Sequence, residues 1–482
     1  MRPGLLLLWV LAYLGLLLAV AAWTSRRADD AAFYVGSRSS PWSLVAFGMI
    51  GTSLSGVTFV SVPGAVGLTQ FSYLQVVIGQ VLGYAVVALV LLPQFHRRGL
   101  VSIYGYLGQR LGPAAQRTGA AIFVVSRTLG ATARLYLVVR VLQDMILDAY
   151  GVPFWLSAAL VLLMILLYTL QGGVRTIVYT DTLQTGAMLI GLAVCTALLL
   201  QHLGLSLPQG LAALHAAGLS RIWRTDPMAA DYFGKQLVAG LFIAIAMTGL
   251  DQEMMQKSLS VRRLAGAQAN LLVLGLVMVG VVALFLVLGG LLVLAAPAAG
   301  VHATGDRLFP AVVLRLLPAW VQVLFVIALV SALLPSADGA LTALTASTCI
   351  DLLHLPARRH LTEAARTRIR HRVHAGYALL FMALLLGFRA LDDPSMIGLI
   401  LKLAAYTYGP LLGLFAFALV SRRRPRPAWV PVVVIAAPLL CWVLDAQQAR
   451  LLGPWRVGLE LLVLNGALTA AGLRLVSRPP AG

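Results

Sequence analysis

Charge is scarce in this 482-residue sequence: Asp, Glu, Lys and Arg make up 11% of it, and only 17 residues are acidic. An ordinary soluble domain is roughly a quarter charged, so a water-soluble globular fold is excluded. Lysine occurs only at Lys235, Lys257 and Lys402. Cysteine is limited to Cys195, Cys349 and Cys441, set singly in or at the ends of apolar runs with no CxxC spacing, which excludes a disulfide framework and a thiolate metal site. There is no HExxH, no GxSxG and no histidine cluster, and His96, His354, His360, His371 and His374 fall in basic loops. A membrane-embedded enzyme would need converging acid, base or metal ligands, so no enzymatic activity and no cofactor are expected. The longest polar stretch is residues 351–372, too short for a soluble signalling or catalytic module.

Apolar length is what the chain has in plenty. It is 60% hydrophobic with a mean hydropathy of +0.90. A helix rises about 1.5 Å per residue, so a hydrocarbon core of roughly 30 Å takes about 20 apolar residues per crossing. Thirteen spans are predicted, near 4–23, 43–69, 72–95, 119–147, 152–171, 178–202, 232–254, 267–296, 309–348, 373–390, 395–420, 428–446 and 455–476. The expected fold class is therefore an all-α polytopic membrane protein of about 13 transmembrane helices.

The formal charge of +19 lies mainly in alternate loops. Arg26, Arg27 and Arg38 follow the first span, Arg97, Arg98, Arg110 and Arg117 the third, Arg175 the fifth, and Lys257, Arg262 and Arg263 the seventh. Arg358, Arg359, Arg366, Arg368, Arg370 and Arg372, then Arg422, Arg423, Arg424 and Arg426, then Arg474 and Arg478, continue that face. The positive-inside rule makes it cytoplasmic, with the N-terminus outside and the C-terminus in the cytoplasm of a plasma or inner membrane. The charge is thus a topology signal, and no nucleic-acid partner or obligate protein partner is expected. Residues 1–23 also resemble a signal peptide, with Ala19-Val20-Ala21 as a cleavage motif, but Arg26 and Arg27 anchor a retained helix equally well.

Helix breakers and small residues collect in three spans: Gly48, Gly51, Gly56, Pro63 and Gly64 in the second, Pro335 and Gly339 in the ninth, Gly409 and Pro410 in the eleventh. They suit either broken helices lining a cavity or close helix packing. Ionisable groups within spans are costly and face a cavity or a partner; here these are Arg134, Asp181, Asp251, Asp338 and Lys402. Arg134 suits a substrate carboxylate or an ion pair. Asp338 stands in an oxygen-rich run with Ser336, Thr342, Thr345, Ser347 and Thr348, the ligand chemistry of a hard cation such as Na⁺. Pro335 removes a helix hydrogen bond and frees the Ser331 carbonyl. Asp181 also suits a plain helix start.

Six stretches resemble the sodium:solute symporter family, which includes the sodium-glucose, sodium-proline and sodium-iodide carriers: FYVGSRS at 33–39, SGVTFVSVPGAVG at 55–67, LLPQFHRRGLVSIYGYLGQRLG at 91–112, GGVRTIVYTDTLQ at 172–184, DQEMMQKSLS at 251–260 and SADGALTALTASTCIDLL at 336–353. The resemblance implies an inverted five-plus-five helix repeat (LeuT-like), formed by the second to sixth and seventh to eleventh spans, with alternating access around a central site. It divides the chain into an extra transmembrane helix at 1–30, a transporter core at 31–425 and two C-terminal helices at 426–482. It implies a sodium-coupled symporter importing a small organic solute, with Na⁺ as coupling ion and the bilayer as surroundings.

Family sodium ligands fall on the carbonyls of Gly51, Leu54 and Ala332 and on two positions that are hydroxyl residues in the family, here Pro335 and Ser336. One hydroxyl is thus missing. A second sodium site of some relatives maps to Asp181 with Asp338 and Gly339, so Asp338 compensates for the lost hydroxyl or takes a proton itself. YEYL of the family reads Tyr104-Gly105-Tyr106-Leu107 here. Where sugar carriers have an aromatic pair this chain has Met247 and Thr248, and the sugar-binding Gln corresponds to Lys402. Arg134 and Lys402 would give a cavity two cations and favour an anionic solute, a carboxylate or an acidic sugar; alternatively Lys402 pairs with Asp338 or Asp251, or reaches water. Ser53, Thr58, Gln75, Gln80, Thr248 and Gln252 complete the expected substrate contacts. A proton-coupled symporter and a transport-derived membrane sensor are the rival readings.

Overall fold

The computed structural model describes residues 3–25, 39–358, 360–391 and 396–479. Arg26, Arg27, Arg38, Arg359 and most of the stretch at 33–39 lie outside the described residues.

Proline at helix starts and glycine at turns divide the apolar sequence into helices. Pro3 opens α1 (Pro3–Ser25) and Pro41 precedes α2 (Trp42–Thr69). Helix α3 (Tyr73–Arg97) follows after a three-residue turn, and Gly112 at φ 101° and Pro113 start α4 (Pro113–Leu142). Pro153 precedes α5 (Phe154–His202), whose axis breaks at Gly173, where φ is 52°. Next come α6 (Phe233–Gly249), bent by 66° from α7 (Gln252–Leu259), and then α8 (Leu264–Ala295). Pro318 precedes α9 (Ala319–Ser347), followed by α10 (Glu363–Leu391) and α11 (Met396–Val420). Helices α12 (Trp429–Leu451) and α13 (Leu461–Leu475) complete the chain. A two-residue bridge between β1 (Arg424–Pro425) and β2 (Ser477–Arg478) ties the exit of α11 to the end of α13.

Among the described residues ten helices are long and apolar enough to cross a membrane, eleven if α6 and α7 count as one span. The expected thirteen is therefore not established by length. Part of the shortfall has a physical reason: Leu461–Leu475 is a shorter apolar helix, and its 15 residues reach only about 22 Å. The span expected at 309–348 is also two helices, Leu308–Leu316 and α9, separated at Pro318.

Helix α9 forms the centre. Every residue from Ala328 to Ser347 is buried, so the helix is enclosed on all sides. It packs along α5, α2 and α4, while α1 lies across α5 and α9 from outside. Two hydroxyl contacts hold α1 there: Ser331 Oγ donates to the Tyr13 hydroxyl at 2.6 Å, and Thr24 to Thr176 at 3.0 Å. Helix α12 presents Val432, Ile435, Leu439, Leu440 and Trp442 outward, the surface a lipid-facing helix carries.

The seam between α3 and α6 depends on absent side chains. A Cβ at Gly240 would stand 2.0 Å from the Val76 carbonyl oxygen, and one at Gly79 would stand 2.2 Å from that of Leu237. Small residues permit such backbone contact in membranes. Gly240→Val is expected to cost about 3 kcal/mol by overpacking, seen as loss of the monodisperse carrier in detergent gel filtration.

Of the three spans with clustered helix breakers, the second is interrupted, while the ninth and eleventh are not broken at Pro335, Gly339, Gly409 or Pro410. Helices α9 and α11 run on through these residues. Gly339 instead makes room for Glu253, and Gly409 for Asn465. Besides Gly173 in α5, interruptions fall at Ser55 in α2, with φ 46° and ψ 164°, and at Leu250–Asp251 between α6 and α7.

Candidate functional site

A helix end leaves carbonyls and N–H groups without intrahelical partners, and the two interrupted helices bring such ends to one place. Between them lies a cavity of about 100 Å³, lined by Thr52, Ser53, Ser55, Thr58, Tyr73, Gln80, Tyr84, Arg127, Arg134, Met247, Thr248 and Met254, with further apolar residues of α6, α8 and α11. Six of the nine expected substrate contacts line it: Ser53, Thr58, Gln80, Arg134, Met247 and Thr248.

The other three stand elsewhere. Gln75 holds a loop by donating to Ser72 and Asp231 carbonyls and accepting from Arg224 N. Gln252 clamps the turn before Tyr104, accepting from Ile103 N at 2.9 Å and donating to the Val101 carbonyl. Lys402 is 62% exposed and pairs with Asp445 of α12 at 3.1 Å, so neither Asp338, Asp251 nor the cavity holds it.

Beside the cavity lies a buried charge cluster. Arg127 donates to Glu253 and stands 3.7 Å from Asp251. Lys257, 1% exposed, places its Nζ 2.7 Å from Asp181 Oδ2, 2.8 Å from Thr52 Oγ1 and 3.5 Å from Glu253 Oε1. Tyr408 donates to Asp251 Oδ2 at 2.6 Å, and the other carboxylate oxygen caps α7 through Glu253 N and Met254 N. Asp338 Oδ1 accepts from Gly339 N at 2.5 Å. Helix α7 supplies Asp251, Glu253 and Lys257 because the sharp bend turns it back into the protein. Lys257, expected in a basic loop, is thus part of the core.

The expected sodium ligands fall into two groups. A Cβ on Gly56 would stand 3.5 Å from Leu333 Cα, so the break after Leu54 crosses α9 one residue beyond Ala332. Leu54 ends the helical segment before that break, and Leu333 follows Ala332 in α9, so the two segments that carry the expected ligands cross there. Ser336 Oγ donates to the Leu333 carbonyl at 2.9 Å, leaving its lone pairs able to accept a cation contact. This set fits a hard cation. The second set, Asp181, Asp338 and Gly339, does not offer an open site: the Lys257 ammonium lies against Asp181, and Glu253 fills the space over Gly339.

Sequence reasoning missed Arg127, Glu253, Lys257, Thr52, Tyr73, Tyr84 and Tyr408. The i, i+4 spacing of Glu253 and Lys257 was the available signal, obscured because a straight seventh span would end before Lys257.

Fold and site together define a multi-pass carrier with a central, broken-helix binding site. The profile described as the sodium:solute symporter family matches residues 33–427. The chain belongs to that family and is a sodium-coupled solute symporter. It is 27% identical over 429 residues to mouse sodium-coupled monocarboxylate transporter 1, covering 86% of this chain and 67% of the relative. It is 28% identical over 272 residues to the human sodium/iodide cotransporter, spanning 56% of this chain and only 41% of that protein. In structure it is similar to a Na⁺-coupled sialic acid symporter in a substrate-bound, outward-open state, with a TM-score of 0.83 at 17% identity and 98% of both chains covered. That likeness establishes the inverted-repeat transporter fold.

Proposed function

We propose that the chain imports a short organic anion, a small carboxylate in the first instance, together with one sodium ion, by alternating access with its arginine-rich face in the cytoplasm. The observation that carries this reading is Arg134 on the wall of a cavity whose other cation, Arg127, is paired with Glu253 and Asp251 and whose remaining lining is hydroxyls, amide and apolar groups. About 100 Å³ is far below the several hundred cubic ångströms of a pocket for drug-sized ligands. A few heavy atoms around a carboxylate suit it better than a hexose. Among the relatives' names monocarboxylates, iodide and sialic acid are anions, alongside a sodium/glucose cotransporter and a multivitamin transporter.

Charge supports coupling to a single cation. Four carboxylates, Asp181, Asp251, Glu253 and Asp338, face two buried cations, Arg127 and Lys257. Arg134 at the cavity wall is the cation that faces the solute. Burying net charge is costly, and a sodium ion at Gly51, Leu54, Ala332 and Ser336 offsets the negative charge that the solute brings. Lys257 and Glu253 occupy the place of a second ion. Sodium therefore binds before the anion, whose affinity depends on it.

Purified carrier in proteoliposomes with an inward Na⁺ gradient tests this. Labelled lactate is expected to accumulate and labelled glucose not to; preference for glucose defeats the anionic reading. Arg134→Gln is expected to raise the KM for lactate between about tenfold and a hundredfold, the loss of one charge-assisted hydrogen-bonding partner. Accumulation driven by a proton gradient without sodium transfers the coupling to Asp338, a reading favoured by proline at position 335.

A further inference from the structure

The end of α11 and the end of α13 enclose a groove. A cavity of about 640 Å³ is floored by Ala416, Phe417, Val420, Ala470 and Ala471 and rimmed by Ser421, Arg422, Arg423 and Arg474. The floor belongs to the final turns of two membrane-embedded helices, and the neighbouring Val420 and Leu475 are 87% and 86% exposed. The β1–β2 bridge pairs Arg424 with Arg478, adding two arginines to the rim's three. No Asp or Glu occurs between Lys402 and Asp445 or after Glu460. Five arginines are thus gathered by the fold with no acid in either contributing segment. Arg110 holds this geometry from the core, donating to the carbonyls of Ala418 and Ser421 at 3.1 and 3.2 Å.

We propose that this groove is a binding site for an anionic phospholipid of the cytoplasmic leaflet. An apolar floor at the depth of the helix ends receives an acyl chain, and the arginine rim receives the phosphate through bidentate hydrogen bonds. A soluble anion would use the rim but leave the apolar floor against water, whereas a lipid meets both halves. Basic pockets between membrane helices on this face attract anionic headgroups. Arg474 and Arg478, with Ala470 and Ala471 of the floor, lie beyond the 33–427 family match, so the site joins the end of α11 inside the matched region to the C-terminal helix α13.

Native mass spectrometry and thermal melting of the full-length carrier test the proposal with phosphatidylglycerol, phosphatidylcholine and inorganic phosphate as probes. Wild type is expected to retain phosphatidylglycerol selectively and to melt higher with it. R422Q/R423Q/R474Q is expected to bind it about a hundredfold more weakly while melting unchanged in phosphatidylcholine. Ala471→Phe, which fills the floor and keeps every arginine, is expected to lose the same selectivity if R422Q/R423Q/R474Q cannot be purified. Equal retention of the two lipids, stabilisation by inorganic phosphate equal to that by the lipid, or full binding by both variants overturns it.

Discussion

Lys257→Met destabilises the carrier by about 3–5 kcal/mol, the expected cost of removing one partner from a buried ion pair. The methionine keeps the volume of the lysine stem, so the loss is electrostatic. Asp181 and Thr52 lose the ammonium at 2.7 and 2.8 Å, and Glu253 loses the one at 3.5 Å. Two carboxylates are then left with less compensation inside the protein, where water cannot replace it. Lys257→Met/Asp181→Asn should recover much of the melting temperature, since coupled neighbours are not additive. A further consequence separates charge from packing. With its tethered cation gone, the site beside Asp181 becomes available to sodium, and NaCl should raise the melting temperature of Lys257→Met more than that of wild type, with choline chloride as the control. Equal responses would show that Lys257 does not stand in a cation's place.

Ser336→Ala is expected to weaken sodium binding about tenfold or more. The proposed sodium site has one side-chain ligand where the resemblance implies two, since proline occupies 335, and losing a hydrogen-bonding or ligating group to a charge costs about 1.5–3 kcal/mol. Tryptophan fluorescence titrated with Na⁺ at constant ionic strength reads the effect without a known solute. Asp338→Asn distinguishes two roles for the neighbouring carboxylate. If it supports the ion, sodium affinity falls; if it serves only the buried lysine, affinity holds while the melting temperature drops. A pH-dependent signal that disappears in Asp338→Asn, with no sodium response in wild type, would assign the coupling to protons.

Most of the fold was legible because a membrane imposes it. Twenty-residue apolar runs and alternating arginine loops identify helices before any packing is considered. The sequence could not indicate which glycine or proline breaks a helix. Pro335 looks like a breaker, yet α9 runs through it because neighbours enclose the helix on every side. Ser55, with no special propensity, carries the interruption, since the geometry is decided by what α2 crosses. Cavity residues on α2, α4 and α6 could be read from polar placement and resemblance. Lys402 could not: its position within an apolar run promised a cavity contact, but a carboxylate 43 residues away in the chain, Asp445, holds it on the outside. Lys257 was hidden for the opposite reason, a bend that carries a loop-like motif inward.

The attachments of α11 bear on movement. Lys402 and Tyr406 both grip Asp445 of α12, while Asn465 of α13 donates to the carbonyls of Ala405 and Tyr406 over Gly409. Helix α11 also contributes Ile400 and Leu401 to the cavity wall. If α11 tilts during transport, it must drag both trailing helices through the surrounding lipid. The friction of that sweep, and hence the turnover rate, would then depend on the viscosity of the bilayer as well as on the chemistry of the solute.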